Sequence, residues 1–228
     1  LMKRPAAVAA PGRGVPTAAK DKRLGRLRHF FCTGQPGSGK TTLVRRCAQD
    51  LKRHGLRVSG FVTDEVLSRG GAAREGFDVV TVGVGRSVRG VLARKRLAGG
   101  CVRAPRVGAY SVDVQSFEVV ALPSLEPNPS VDVYVIDEVG RMELLSNAFR
   151  AAVLKLLRAG WPVVGALTAP IYGHRVAFVD AISSRSSVQV TPLKRSTRAE
   201  ATSVMRALVR DAFCRQSPMS CDRGEHSA

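Results

Sequence analysis

Short apolar runs recur along the chain and predict strands. The clearest runs span 27–33, 58–63, 131–137, 161–167 and 187–191. The run over 131–137 is almost continuously apolar and rich in β-branched residues, as expected of a strand buried on both faces. Two more runs, at 76–82 and 87–93, flank glycine-containing turn residues and predict a β-hairpin insertion.

Between these runs, apolar residues return at helical spacing. Leu43, Cys47 and Leu51 lie at i, i+4 spacing, which predicts one apolar helix face that ends near Gly55. Similar patterns predict a helix over 144–157, a short helix around 176–184 and a last helix near 201–212. The stretch around Phe117 is interpreted as extended. Alternating strands and helices predict an α/β fold whose mostly parallel sheet carries helices on both faces.

Length and composition indicate one domain with a basic leader. Hydrophobic residues make up 44% of the 228 residues, which is enough for one full core. Residues 1–28 hold eight Lys and Arg side chains against Asp21 alone, and we expect a disordered leader before a single domain at 29–213. A mitochondrial targeting segment is the alternative for this leader. Residues 214–228 have the composition of a flexible tail.

Charge, hydrophobic runs and cysteine usage limit the cellular location and the binding partners to expect. No apolar run approaches the roughly 20 residues needed to span a bilayer, so we expect no membrane contact. The five scattered cysteines show no CxxC spacing, which favours an intracellular, cytoplasmic location over a disulfide framework or a zinc site. The formal net charge of +18 favours polyanionic partners, either nucleic acid bound non-specifically or a polyphosphate substrate.

A phosphate-binding loop follows the first predicted strand. Gly34 to Thr41 fits G-x-x-x-x-G-K-[ST], the Walker A pattern, between a strand and a helix. Gly37 and Gly39 let backbone N–H groups turn inward on a phosphate, and the helix N-terminus adds positive charge. Lys40 can reach the β- and γ-phosphates, and the Thr41 hydroxyl can bind Mg²⁺. The predicted nucleotide-binding residues are Gly34, Gln35, Pro36, Gly37, Ser38, Gly39, Lys40, Thr41 and Thr42.

A pair of acids ends the apolar run at 131–137. Because ligands bind at the carboxyl ends of the strands in an open α/β sheet, we expect Asp137 to lie near the phosphate loop. We predict that Asp137 holds Mg²⁺ through water, as in a Walker B motif, and that Glu138 polarises the attacking water as general base. The alternative makes Glu138 only an acid that favours the dipole of a following helix.

These motifs together resemble those of one family. The segments "GQPGSGKTTL", "GFVTDEV", "GFDVVTV" and "VYVIDEVGRMELLS" follow one another as in the THEP1-type nucleoside-triphosphatases, over about residues 30–208. The resemblance implies a RecA-like P-loop fold that uses Mg²⁺ to hydrolyse ATP, GTP and other nucleoside triphosphates to diphosphate and phosphate, with weak base preference. It also implies catalytic roles for Lys40 and Glu138, and for Arg141, which stands where the family usually carries lysine.

Three functions stay open at this point. The leading one is hydrolysis of ATP, GTP, CTP and UTP by a monomer. A nucleotide or small-molecule kinase on the same loop would need an acceptor pocket and a lid with arginines, for which the basic run from Arg86 to Arg106 is a candidate. Most of this run is interpreted as a solvated face. A nucleic-acid-binding ATPase module would use the basic leader and the net charge.

Overall fold

The computed structural model describes residues 27–71, 73–83, 85–95, 104–170 and 174–213. The tail predicted at 214–228 lies outside the described residues, as does the predicted leader except for Leu27 and Arg28. The elements are β1 (His29–Gly34), α1 (Lys40–Arg53), β2 (Val58–Leu67), β3 (Arg74–Thr81), β4 (Arg89–Arg94), β5 (Arg106–Val107), β6 (Tyr110–Val112), α2 (Val114–Ser124), β7 (Val133–Val139), a 3-10 turn (Glu143–Leu145), α3 (Asn147–Arg158), β8 (Val163–Thr168), α4 (Ala177–Ser183), β9 (Val188–Pro192) and α5 (Arg198–Phe213). Of the helices described, none combines the length and apolar character that crossing a membrane requires.

One sheet runs through the described residues in the strand order β5-β6-β4-β3-β2-β7-β8-β1-β9. The five strands β2, β7, β8, β1 and β9 pair in parallel. The other four strands extend the sheet by antiparallel pairing, including that of β3 with β4. Only β8 separates β1 from β7, so the ends of these two strands lie at one edge of the sheet.

Side chains along β1 alternate between two hydrophobic cores, one on each face of the sheet. Phe30 and Cys32 pack with apolar residues of α1 and α5. Phe31 points the opposite way and packs with apolar residues of α2, α3 and α4. Helices therefore cover both faces of the sheet, as the alternation of strand and helix patterns predicted.

The segment around Phe117 is helical, so the prediction of an extended stretch is wrong. The carboxylate of Asp113 accepts a hydrogen bond from the Ser116 N–H at 2.9 Å and thereby caps α2. Apolar residues lie around much of this helix, and Val119 is 68% exposed while its neighbour Val120 is buried. Because no single apolar stripe results, the spacing of these residues does not reveal the helix.

The helix predicted over 144–157 begins later than expected. The Ser146 hydroxyl accepts a hydrogen bond from the Phe149 N–H at 2.9 Å, which makes Ser146 the cap of α3. The preceding residues form the separate 3-10 turn Glu143–Leu145. This turn leaves Leu145 exposed and buries Glu143, the reverse of their ordinary preferences.

A histidine at the start of β1 makes the stability of the protein depend on pH. His29 is 1% exposed. Burial, followed by the charges of Arg185 and Arg28, lowers its pKa from 6.5 to about 4. The folded protein keeps His29 neutral where the unfolded chain would protonate it. The stabilisation is therefore complete above the unfolded pKa of 6.5 and is lost as the pH falls toward 4.

We expect the free energy of unfolding to fall by about 2–3 kcal/mol across that pH window because of His29. Urea unfolding at several pH values should show this slope in the unchanged protein and a shallower slope in His29→Leu, which has no group to protonate. Parallel pH dependences of the two proteins would show that His29 does not cause the effect.

Candidate active site

The phosphate loop connects the end of β1 with the start of α1. Gly37 and Gly39 adopt φ angles of 75° and 100°, in the left-handed region that favours glycine. Gly39 occupies the N-cap position of α1 and supplies no side-chain cap. The first N–H groups of α1 thus keep their hydrogen-bonding capacity for a ligand, as an anion site at a helix N-terminus requires.

Lys40 joins the loop to the acid pair. Its Nζ donates a hydrogen bond to the Gly34 carbonyl at 2.9 Å and lies 3.3 Å from a carboxylate oxygen of Glu138. Lys40 and Glu138 are almost 100 residues apart in the sequence, and the structure brings them together. The ammonium group that is predicted to bind phosphate therefore lies beside the predicted general base.

Asp137 is fully buried next to this pair. The Thr63 hydroxyl donates a long hydrogen bond of 3.5 Å to its Oδ2. Burial, and then the charge of Glu138, raise the pKa of Asp137 to about 6, although the Thr41 hydroxyl favours the ionised form. Oδ1 is buried and has no hydrogen-bond partner among the described residues.

The side chains of Thr41 and Asp137 fit a small, hard cation. A buried carboxylate oxygen without a partner is costly unless something binds it, and carboxylate and hydroxyl oxygens are ligands that Mg²⁺ prefers. In the described parts of the chain, no group of three or more His, Cys, Asp and Glu side chains could hold a metal. Mg²⁺ in nucleotide enzymes usually takes most of its ligands from substrate phosphate and water.

A third acid, which sequence reasoning did not single out, lies at the same site. Glu143 is buried, and its carboxyl group approaches that of Glu138 over Gly140. Burial and then the charge of Glu138 raise the pKa of Glu143 well above its usual range. An acid between Met142 and Leu144, five positions after Glu138, was the available signal.

The remaining predicted residues occupy several environments. Arg141 donates a hydrogen bond from Nη2 to the His174 carbonyl at 3.0 Å, and its role toward phosphate stays a prediction. The side-chain amide nitrogen of Gln35 donates a hydrogen bond to the Pro170 carbonyl at 3.0 Å. The Ser38 hydroxyl is buried, whereas Pro36 in the loop and Thr42 in the first turn of α1 are exposed.

A groove of about 290 Å³ lies beside the phosphate loop. Its lining comes from the loop and from the connection between β9 and α5: Gln35, Pro36, Ser38, Leu193, Lys194 and Arg195. A Cβ at Gly37 would lie 3.5 Å from the guanidinium of Arg195, and one at Gly39 would lie 2.9 Å from the Arg198 side chain. The site thus has more positive charge than the loop motif alone predicted.

The basic run from Arg86 to Arg106 is partly neutralised by neighbouring strands. Arg89 pairs with Asp78 at 2.9 Å and also with Asp64, and Arg94 pairs with Asp78. Residues 96–103 of the run lie outside the described residues. Where it is described, the run therefore forms ion pairs across β2, β3 and β4, in addition to facing solvent.

Comparison with known proteins gives consistent results at the levels of sequence and structure. The family model described as NTPase matches residues 29–205. The chain is similar to the cancer-related nucleoside-triphosphatase homolog of Bos taurus, with 43% identity over 180 residues that cover 75% of this chain and 90% of the bovine protein. It is similar to the solution structure of a human cancer-related nucleoside triphosphatase, with a TM-score of 0.66, 40% identity and coverage of 81% of this chain and 98% of the human one. The crystal structure of THEP1 from Aquifex aeolicus gives a TM-score of 0.63 and 29% identity, with coverage of 79% of this chain and 98% of that one.

Proposed function

This chain belongs to the NTPase family, and we propose that it hydrolyses ATP, GTP, CTP and UTP to nucleoside diphosphate and phosphate in a Mg²⁺-dependent reaction with broad base specificity. Relatives that are 43% and 42% identical to this chain over the aligned residues are named nucleoside-triphosphatases, and this chain is a hydrolase of that kind. The observation that carries the detailed proposal is the 3.3 Å separation of Lys40 Nζ and Glu138 at the phosphate loop. A RecA-like layout with a β3–β4 hairpin insertion belongs to the same proposal.

Binding of the substrate rearranges the contacts of Lys40. The backbone N–H groups of the loop and the N-terminus of α1 receive the phosphates. Lys40 then exchanges the Gly34 carbonyl and the Glu138 carboxylate for phosphate oxygens, which offer a stronger charge-assisted contact. This exchange frees one side of the Glu138 carboxylate for a water molecule.

Glu138 accepts the proton of the attacking water. It is the partly exposed member of the acid group, whereas Asp137 and Glu143 are buried, so Glu138 is the one that a solvent molecule can reach. Thr41 and Asp137 would hold Mg²⁺, which when bound supplies charge neutralisation at the phosphate oxygens. Arg141 is proposed to add positive charge near the γ-phosphate.

The groove beside the loop supports broad base specificity. Its lining offers the aliphatic Leu193 and Pro36 and the charges of Lys194 and Arg195, and the Gln35 amide nitrogen is already engaged by the Pro170 carbonyl. Reading one base requires hydrogen-bonding groups aimed at its edge. A groove of this kind holds a nucleoside by packing and charge, so all four bases fit.

We expect phosphate release from ATP, GTP, CTP and UTP with kcat/KM values within about tenfold of one another, because the described lining of the groove holds a nucleoside by packing and charge and not by hydrogen bonds to the edge of a base. A chelator should abolish release, and added Mg²⁺ should restore it. Parallel reactions with RNA at low salt test the proposed non-specific nucleic-acid binding of the leader. Phosphate transfer that needs an added acceptor would show a kinase, and absence of release from all four triphosphates would refute the proposal.

A further inference from the structure

Glu143 is a buried carboxyl group without a role in the mechanism above. It is 4% exposed, and the charges that act on it are those of the carboxyl groups of Glu138 and Asp137. Burial of a carboxyl group among like charges costs free energy, so its presence in the interior calls for a compensating function.

The turn after β7 folds Glu143 back onto the end of that strand. The Leu144 N–H donates a hydrogen bond to the Gly140 carbonyl at 3.0 Å, and the Ser146 N–H donates one to the Glu143 carbonyl at 3.0 Å. A Cβ at Gly140 would lie 2.7 Å from Glu138 Oε1 and 2.7 Å from Glu143 Oε2. The two carboxyl groups therefore lie on the same side of this glycine, and a side chain at position 140 would clash with both.

Burial favours the protonated form of the Glu143 carboxyl group. Lys40 balances the charge of Glu138 at 3.3 Å. The pKa of Glu143 is raised by burial and by Glu138, against the opposing effect of the backbone amides of Glu143 and Gly140. A carboxyl group that keeps its proton has one O–H to donate, and the Glu138 carboxylate can accept it.

We propose that Glu143 is a positioning residue whose carboxylic acid hydrogen-bonds Glu138 and holds it toward the attacking water. Both Lys40 and the turn at Gly140 lie against the Glu138 carboxyl group. When Lys40 moves to the phosphate, the Glu143 hydrogen bond still holds the base in place. This inference rests on the proposed function, in which Glu138 is the general base.

The test compares two substitutions of similar size. Glu143→Gln keeps a neutral donor and should retain single-turnover phosphate release within about fivefold. Glu143→Leu has no donor and should slow release about 10- to 100-fold, the effect of a misplaced catalytic group, with unchanged affinity for a non-hydrolysable ATP analogue. Glu118→Leu is the matched control, because Glu118 accepts a hydrogen bond at 2.6 Å from the hydroxyl of Ser146, the residue that follows the turn, and has no role in the proposed mechanism. It should lower the melting temperature without slowing release per folded molecule.

A double-mutant cycle separates positioning from a structural role. If Glu143 acts through Glu138, Glu143→Leu should cost nothing further in a Glu138→Gln background. Equal rates for Glu143→Gln and Glu143→Leu, or additive losses in the cycle, would overturn the inference while normal hydrolysis by the unchanged protein leaves the proposed function standing. Absence of hydrolysis by the unchanged protein would overturn both.

Discussion

Glu138→Gln should slow the chemical step by about 10² to 10⁴ and leave nucleotide affinity almost unchanged. The amide keeps the shape of the side chain and can hydrogen-bond a water molecule, but it cannot accept the proton. Asp137, Thr41 and the phosphate loop stay in place, so the triphosphate should still bind. Single-turnover phosphate release, nucleotide affinity and melting temperature, measured on one preparation, test this result.

The same three measurements distinguish a general base from a residue of a kinase whose base lies elsewhere and from a purely structural glutamate. A kinase with its base elsewhere would keep most of its turnover, and a purely structural glutamate would lose stability but little rate per folded molecule. Glu126→Gln provides a control with the same chemical change, since Glu126 pairs with Lys155 at 3.2 Å on an exposed surface. If release in Glu138→Gln falls less than about fivefold per folded molecule, another group accepts the proton.

The elements predicted from the sequence are those in which local pattern and tertiary packing agree. The run at 131–137 corresponds to β7, and the apolar face of α1 with Leu43, Cys47 and Leu51 is buried. In both elements the apolar residues of the pattern are the ones that pack in the core, so the pattern identifies the element. Helix α2 escaped detection since its apolar residues form no stripe. The start of α3 was misplaced because the Ser146 cap, and not the apolar spacing, determines where that helix begins.

The site residues likewise fall into those that a local motif predicts and those that only the tertiary structure brings to the site. Gly34 to Thr41 could be predicted because a contiguous motif specifies the loop, and Asp137 because strand ends meet at one edge. Glu143 and Arg195 could not be predicted as site residues. The turn after β7 brings Glu143 to Glu138, and the β9–α5 connection brings Arg195 to the phosphate loop. The hydrogen bond of Arg141 to the His174 carbonyl likewise depends on two distant segments that no local pattern relates.

Lys40→Ala should weaken binding of a non-hydrolysable ATP analogue by about 2–3 kcal/mol, or roughly 30- to 150-fold in Kd, the size of a lost charge-assisted contact to phosphate. A second effect follows from the contact of this lysine with Glu138 at 3.3 Å. Without the ammonium group, the charge of Glu138 is no longer balanced beside the buried carboxyl group of Asp137, and the Glu143 hydrogen bond alone has to hold it. We expect Glu138 to be positioned less well, so the rate at saturating nucleotide should fall as well.

Calorimetric titration and phosphate release at saturation distinguish these two effects. Lys52→Ala is the control, because Lys52 lies on the same helix and donates to the Gly83 carbonyl at 3.2 Å, away from the acids. Unchanged affinity in Lys40→Ala would refute the phosphate-loop assignment. Lost affinity with an unchanged saturated rate would mean that Lys40 serves binding alone, and the base would then keep its position through the turn at Gly140 without the lysine.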